Sequence, residues 1–366
     1  MVRALDLYRT EALAAPGLTR LHLPPTGGEI PEDPDRGSER VAAVVIGKDE
    51  GNTLRACLDR CREQCGTVIY VDSGSSDNSV SEAGLRGAHV VQLGSIVPFL
   101  PGLARNAGFR QLEQRDSDAE FVHFVDGDCV LEPDWVARAV AALDADPSLQ
   151  VVCGHLLEVD AQSSPWKRMC QIEWAEPTGR VSWCGGIFIV RREVFRAVEG
   201  FREDMTAGEE PDLCTRIRDM GGAIERIDTP MAHHNSHMYR FSEWWQREVR
   251  GGYMDFSVAA PSGEQPFARE RFRMYAWTLG WLALCAVLTL VAGWIGGLLG
   301  LCILPLQMLR QMRWCLRQGH DRSSSLIYGV LVVLLNWPKL LGQLRFRWDR
   351  RRLSSESPNF FGRPPT

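Results

Sequence analysis

Short apolar runs alternate with polar, helix-length segments over the first two thirds of the chain, and long uncharged runs dominate the last third. Residues 41–46, Val-Ala-Ala-Val-Val-Ile, form a continuous apolar run of the kind found in strands buried on both faces of a parallel sheet. A helix-length segment at 52–64 follows, then a second run at 67–71 that ends in Asp72-Ser73-Gly74-Ser75-Ser76-Asp77, a turn rich in helix-capping residues. Residues 88–93 predict a third strand and residues 121–125 a fourth. Strand and helix in alternation predict a doubly wound α/β sheet. Beyond it, the pattern predicts helices over 132–143, 192–198 and 208–220, and strands over 149–159, 187–190 and 224–227, the last ending ahead of His233-His234.

The last third reads differently. Residues 275–309 are 35 positions without a charged side chain, about 52 Å as one helix against a hydrocarbon core of about 30 Å. Two shorter passes, 275–291 and 293–309, suit that length, with a turn near Gly293 and with Gly296 and Gly297 letting the helices approach. A third apolar stretch, 325–341, is interrupted by Asn336-Trp337-Pro338-Lys339 and reads as an interfacial or re-entrant helix, a full span being the alternative. Arg310, Arg313, Arg317 and Arg322, and then Arg345, Arg347, Arg350, Arg351 and Arg352, flank these stretches as membrane anchors do. The expected organisation is an N-terminal arm at 1–40, an α/β domain at 41–255 and a membrane region at 256–366.

A net charge of −5 argues against a general nucleic-acid binder. The 11 cysteines are scattered and odd in number, which fits reduced thiols in the cytosol. Cys57, Cys61 and Cys65 are spaced along one probable helix face, which cannot by itself wrap a metal tetrahedrally, so they read as packing residues. The N-terminus lacks the apolar core of a secretory signal, so the globular part is expected in the cytosol.

The chemistry centres on Asp126-Gly127-Asp128, two acids separated by one glycine after a buried strand. Open α/β sheets place ligands at such strand ends. Glycine permits close backbone approach, and paired carboxylates hold a hard divalent cation, with a metal-bound diphosphate as the natural occupant.

Five segments in order, Ile46-Gly47-Lys48-Asp49-Glu50-Gly51-Asn52, Val71-Asp72-Ser73-Gly74-Ser75-Ser76-Asp77, Ala104-Arg105-Asn106-Ala107-Gly108, Asp126-Gly127-Asp128 and Gly208-Glu209-Glu210-Pro211-Asp212, make residues 41–235 resemble family 2 glycosyltransferases. The resemblance implies a GT-A fold, a Rossmann-like and mostly parallel sheet, followed here by a helical membrane region similar to that of bacterial members that build exopolysaccharide or glycolipid. It also implies a nucleotide-sugar donor, bound through Glu50 and Asp72 at the nucleoside, Arg105 and Asn106 at the diphosphate, and Asp126 at the ribose and metal. Asp126, Asp128 and a downstream histidine, His234 with His233 as its neighbour, would hold Mg²⁺ or Mn²⁺. The family's general base is an aspartate in a Glu-Asp pair. Here the pair is Glu209-Glu210, with Glu210 as the base and Glu209 as the runner-up. Trp174, Trp183, Trp244 and Trp245 are candidates for stacking on the acceptor. The implied reaction is inverting transfer to a lipid-linked or polysaccharide hydroxyl at the cytosolic face of the plasma membrane. A non-catalytic scaffold of the same fold and a nucleotidyltransferase are the alternatives.

Overall fold

The run at 41–46 becomes the centre of a nine-stranded mixed sheet in the computed structural model, which describes residues 38–94, 100–115, 117–203, 205, 208–257 and 268–353. The strands are β1 (Ser38–Gly47), β2 (Cys65–Asp72), β3 (His89–Gln92), β4 (Phe121–Asp126), β5 (Cys129–Leu131), β6 (Leu149–Glu158), β7 (Gly179–Arg180), β8 (Phe188–Arg191) and β9 (Ala223–His234). The helices that accompany them are α1 (Gly51–Gln64), α2 (Ser79–Leu85), α3 (Pro101–Glu113), α4 (Trp135–Ala145), α5 (Pro165–Glu173), α6 (Arg192–Ala197) and α7 (Glu209–Asp219). Among the described residues, 38–157 and 176–235 form one compact unit, and 158–175 with 236–353 form a second.

In the first unit the sheet order is β3-β2-β1-β4-β8-β6-β9-β5, with β7 on β9. β1 pairs in parallel with β2 and β4, and β2 with β3, while β8 joins β4 antiparallel. Residues 41–46 are buried because helices cover both faces, as the unbroken apolar run requires. The chain leaves β1 for β2 on one side and reaches β4 on the other, so a crevice opens at the carboxyl ends of β1 and β4. Cys57 and Cys61 are buried with Leu54 and Leu58 on the inner face of α1, which is the packing role their spacing predicts.

Two elements depart from the periodicity. Residues 129–131, to which the periodicity assigns no element, form β5, because they pair antiparallel with the end of β9. The expected strand at 224–227 runs on to His234, past Asp228 and Pro230. Its polar middle hid it, and it is held as a strand by β7 at one end and β5 at the other. Of the expected N-terminal arm, residues 1–37 lie outside the described residues, and Ser38–Arg40 already belong to β1.

The second unit consists of α5, α8 (Phe241–Ser257), α9 (Ala268–Tyr275), a π-helical turn (Ala276–Gly280), α10 (Trp281–Arg317), α11 (Arg322–Leu334) and α12 (Asn336–Leu353). The boundary expected at 255 therefore falls inside this unit: Met169 and Cys170 of α5, Met238, Trp244 of α8, and Leu331 and Leu335 share one apolar cluster. Within α10, Ala292 and Gly293 leave helical geometry, Gly293 with φ 62°. The chain reverses there, and Trp281 Nε1 donates to the Gly300 carbonyl at 3.0 Å. Glycine makes these contacts possible: a Cβ at Gly300 would lie 2.8 Å from Cys285 Sγ, and one at Gly329 would lie 2.6 Å from the Met308 carbonyl oxygen. Two helical stretches, Ala268–Arg317 and Arg322–Trp348, are long and apolar enough to cross a membrane. Large apolar side chains on the first stand open, Leu290 at 86% and Val291 at 80%.

Candidate active site

Strand register brings the acids to one edge. Gly47 at the end of β1 lies opposite Asp72, and Ile46 lies opposite Asp126. The Ile46 carbonyl accepts from Gly127 N–H at 2.8 Å and the Gly47 carbonyl from Ser73 N–H at 3.1 Å, so the last residues of β1 anchor the loops on both sides. A Cβ on Gly127 would sit 3.1 Å from the Ile46 oxygen and 3.2 Å from Glu50 Cγ, which explains glycine between the two acids. Glu50 leans on this acidic pair, and burial followed by the charge of Asp128 pushes its carboxyl up to about 7.

Antiparallel pairing supplies the histidine. β5 sets Cys129 opposite His234, and His234 Nε2 lies 3.0 Å from Asp128 Oδ2. Neighbouring side chains on a strand point to opposite faces. His233 accordingly turns away, its Nε2 lying 2.5 Å from Glu132 Oε1. Burial alone would raise the Asp128 carboxyl, but the hydrogen bond and charge of His234 hold it below the usual carboxylate range. Asp126, Asp128 and His234 offer two carboxylates and an imidazole, a donor set that fits Mg²⁺ or Mn²⁺, with the imidazole better matched to Mn²⁺.

Arg105 lies nearly enclosed at 3% exposure. Its Nη2 donates to Asp126 Oδ1 at 2.8 Å and to the Gly186 carbonyl at 3.2 Å, and its Nη1 donates to Glu209 Oε1 at 2.9 Å. The expected phosphate fork is thus already occupied by two carboxylates. Arg105 ties Asp126 to the start of α7. Glu209 faces Arg105, whereas Glu210 accepts from Gly185 N–H at 2.7 Å. Burial raises the Glu210 carboxyl to about 7, and Glu209 adds to the shift. That value suits a general base at neutral pH.

Gly185-Gly186 is the connecting piece that pattern reading did not single out for chemistry. Gly185 has φ 83°, a region other residues adopt only with strain, and a Cβ on Gly186 would lie 3.0 Å from Asp126 Oδ2 and 3.1 Å from Arg105 Nη2. The signal was present as paired glycines before a buried strand.

Residues 43–198 match the family Glycosyl transferase family 2, and residues 169–241 match the family described as the N-terminal domain of galactosyltransferase. Residues 43–198 form a family 2 glycosyltransferase domain. Pre-mycofactocin glycosyltransferase from two strains of Mycobacterium tuberculosis is 25% identical over 265 residues, covering 68% of this chain and 54% of the relative. The chain thus spans about half the length of the curated relatives it matches. The mannosyltransferase PcManGT of Pyrobaculum calidifontis, solved with GDP-Man and Mn²⁺, superposes with a TM-score of 0.53 at 18% identity over 85% of this chain and 88% of that one, which establishes the shared GT-A fold.

Three more of the expected donor and acceptor residues are engaged within the fold. Asp72, 3% exposed, accepts from the Tyr70 hydroxyl, Gly74 N–H, Ser75 N–H and the Ser75 hydroxyl. With four donors around it, the carboxylate organises the turn after β2. Asn106 is spent on the chain at Phe201, donating to its carbonyl at 2.8 Å and accepting from its N–H at 2.9 Å. Trp244 is fully buried and stacks on Trp166 at 5.2 Å, so no face is open to a sugar. Trp174 and Trp245 pack partly buried against the same cluster in the second unit. Trp183, in the first unit and 43% exposed, keeps an open ring.

Proposed function

We propose that this glycosyltransferase moves a sugar, with inversion, from a nucleotide diphosphate-sugar to a hydroxyl of a lipid-linked or polysaccharide acceptor at the cytosolic face of the plasma membrane. The observation that carries the reading is the pairing of Asp128 with His234 at the crevice beside β1, with Asp126 within the field of both and Glu210 tied to the same place through Gly185-Gly186 and Arg105. Bound there, Mg²⁺ or Mn²⁺ supplies charge neutralisation for the departing diphosphate. Glu210 accepts the acceptor's hydroxyl proton as its oxygen attacks the anomeric carbon. Attack from the face opposite the leaving group inverts that centre. Glu209 and Asp126, both gripped by Arg105, keep base and metal-binding acid in fixed relation. The open loops at Lys48–Gly51 and Ser73–Asp77 are the remaining surface for a nucleoside.

Membrane attachment is supported by the open apolar faces of α10, which water would not tolerate at this extent. Tethering raises the effective concentration of enzyme at a membrane-bound acceptor, which favours a lipid-linked one. Product analysis tests the reaction class. Release of nucleoside diphosphate with an inverted glycoside supports it, and release of pyrophosphate would reassign the chain to nucleotidyl transfer. Transfer to a lipid-linked acceptor in vesicles should exceed transfer to its water-soluble short-chain analogue. Equal rates remove the support for a lipid-linked acceptor.

A further inference from the structure

The second unit contains a cavity of about 630 Å³ that the glycosyl transfer chemistry does not use. It is lined by Arg310, Arg313, Trp314 and Arg317 of α10, by Arg273 of α9 and by Tyr328 of α11, with Leu306 and Leu309 at its apolar side. Three elements of one unit therefore build it. Leu306, Arg310, Arg313 and Arg317 recur at helical spacing and share one face of α10. Like charges so arranged weaken a helix unless something neutralises them. Among the described residues, none of the four arginines has a carboxylate within ion-pair distance. Glu173, whose charge reaches Tyr328, is taken by Arg247 at 3.1 Å. The arginines begin where the uncharged stretch ends, at Leu309. Leu306 is 63% exposed and Trp314 46% exposed beside them.

We propose that this cavity binds the phosphate headgroup of an anionic membrane lipid. The guanidinium groups take phosphate oxygens through paired N–H donors, as this planar cation does better than an ammonium. Trp314 and Tyr328, their rings tilted against each other at 5.5 Å, form the interfacial wall, and the lipid chains run along Leu306 and Leu309. Simple electrostatic anchoring would not require arginines from two helices to converge on one open cleft. The proposal rests on the reading that this unit lies in a membrane, and is independent of the sugar chemistry.

The test uses the full chain in neutral detergent, with thermal unfolding followed as dioleoylphosphatidylglycerol, dioleoylphosphatidylcholine, inorganic phosphate or pyrophosphate is titrated. Phosphatidylglycerol should stabilise the wild type, and phosphatidylcholine and the free anions at equal concentration should not. The R310Q/R313Q/R317Q variant should bind the anionic lipid about 100-fold more weakly, taking each basic contact at its usual interfacial value. The charge-matched variant R269Q/R322Q/R345Q, altered at exposed arginines outside the cavity, should behave as wild type. R313Q alone, expected to be several-fold weaker, serves if the triple variant does not purify. Equal loss in the two triple variants overturns the site in favour of diffuse charge, and equal stabilisation by free phosphate overturns the lipid. Sedimentation of the untreated wild type with membranes, and its resistance to alkaline extraction, separately tests the membrane reading.

Discussion

Turnover should rise with pH through neutrality, because Glu210 takes a proton only when ionised and its carboxyl is pushed up to about 7. A carboxyl titrating near 7 is about one-tenth ionised at pH 6 and about nine-tenths at pH 8, so kcat/KM should increase about 10-fold over that interval. With the ordinary value of 4.5, the change would be only about 3%. Glu209→Gln removes a neighbouring negative charge that helps raise Glu210, so the acid limb should move to lower pH. For stability the sign is reversed. The folded pKa lies above the unfolded one, so the group's contribution is fully present below about 4.5 and is lost as pH rises through about 7, up to about 3 kcal/mol. Glu210→Gln should therefore abolish turnover yet melt higher than wild type at pH 8, with a smaller difference at pH 5.5. The assay is initial-rate transfer across pH 5.5–9, with melting curves on the same samples. A flat profile between pH 6 and 8, or a Glu210→Gln variant that still turns over, would refute the assignment of the base.

Three further outcomes follow from the packing. Gly186→Ala drives a methyl against Asp126 and Arg105 and should weaken metal-dependent donor binding at least 10-fold while costing only about 1–3 kcal/mol in stability, read by titration calorimetry and denaturant melts. Arg105→Met strands two carboxylates and should destabilise the chain by about 3–5 kcal/mol, whereas a phosphate-binding surface arginine would affect KM alone. Trp183→Ala should raise the acceptor KM with no loss of stability, and Trp244→Ala should lower stability by about 3–5 kcal/mol, since the Trp183 ring is open and that of Trp244 is fully buried.

Much of the α/β fold was legible because buried parallel strands must be apolar on both faces, and 41–46, 67–71 and 121–125 are. The acids at their ends were legible for the same reason: a strand boundary fixes where its last side chain emerges. Partnerships across the fold were not. Arg105 and Asp126 are 21 positions apart, and Arg105 and Glu209 are 104 apart, so nothing local shows that the arginine is consumed by carboxylates. Asp72 reads from sequence as a nucleobase ligand, and the four intramolecular donors that also fix it in the turn appear only in the fold. That His234 rather than His233 lies beside Asp128 follows from the register of β5 on β9, which two short and partly polar segments do not advertise. Trp244 stands in an amphipathic helix whose covered face is known only once α5 and α11 pack on it.

The central claim is that Asp126, Asp128 and His234 hold a metal-bound diphosphate. Thermal-shift titration of the full chain with nucleoside diphosphates, with and without Mn²⁺, tests it directly. At least one diphosphate should stabilise the wild type only when Mn²⁺ is present, by about 2.7 kcal/mol at 100 times its Kd, and Asp128→Asn should lose that increment. Binding that needs no metal, or that survives Asp128→Asn unchanged, would contradict the account.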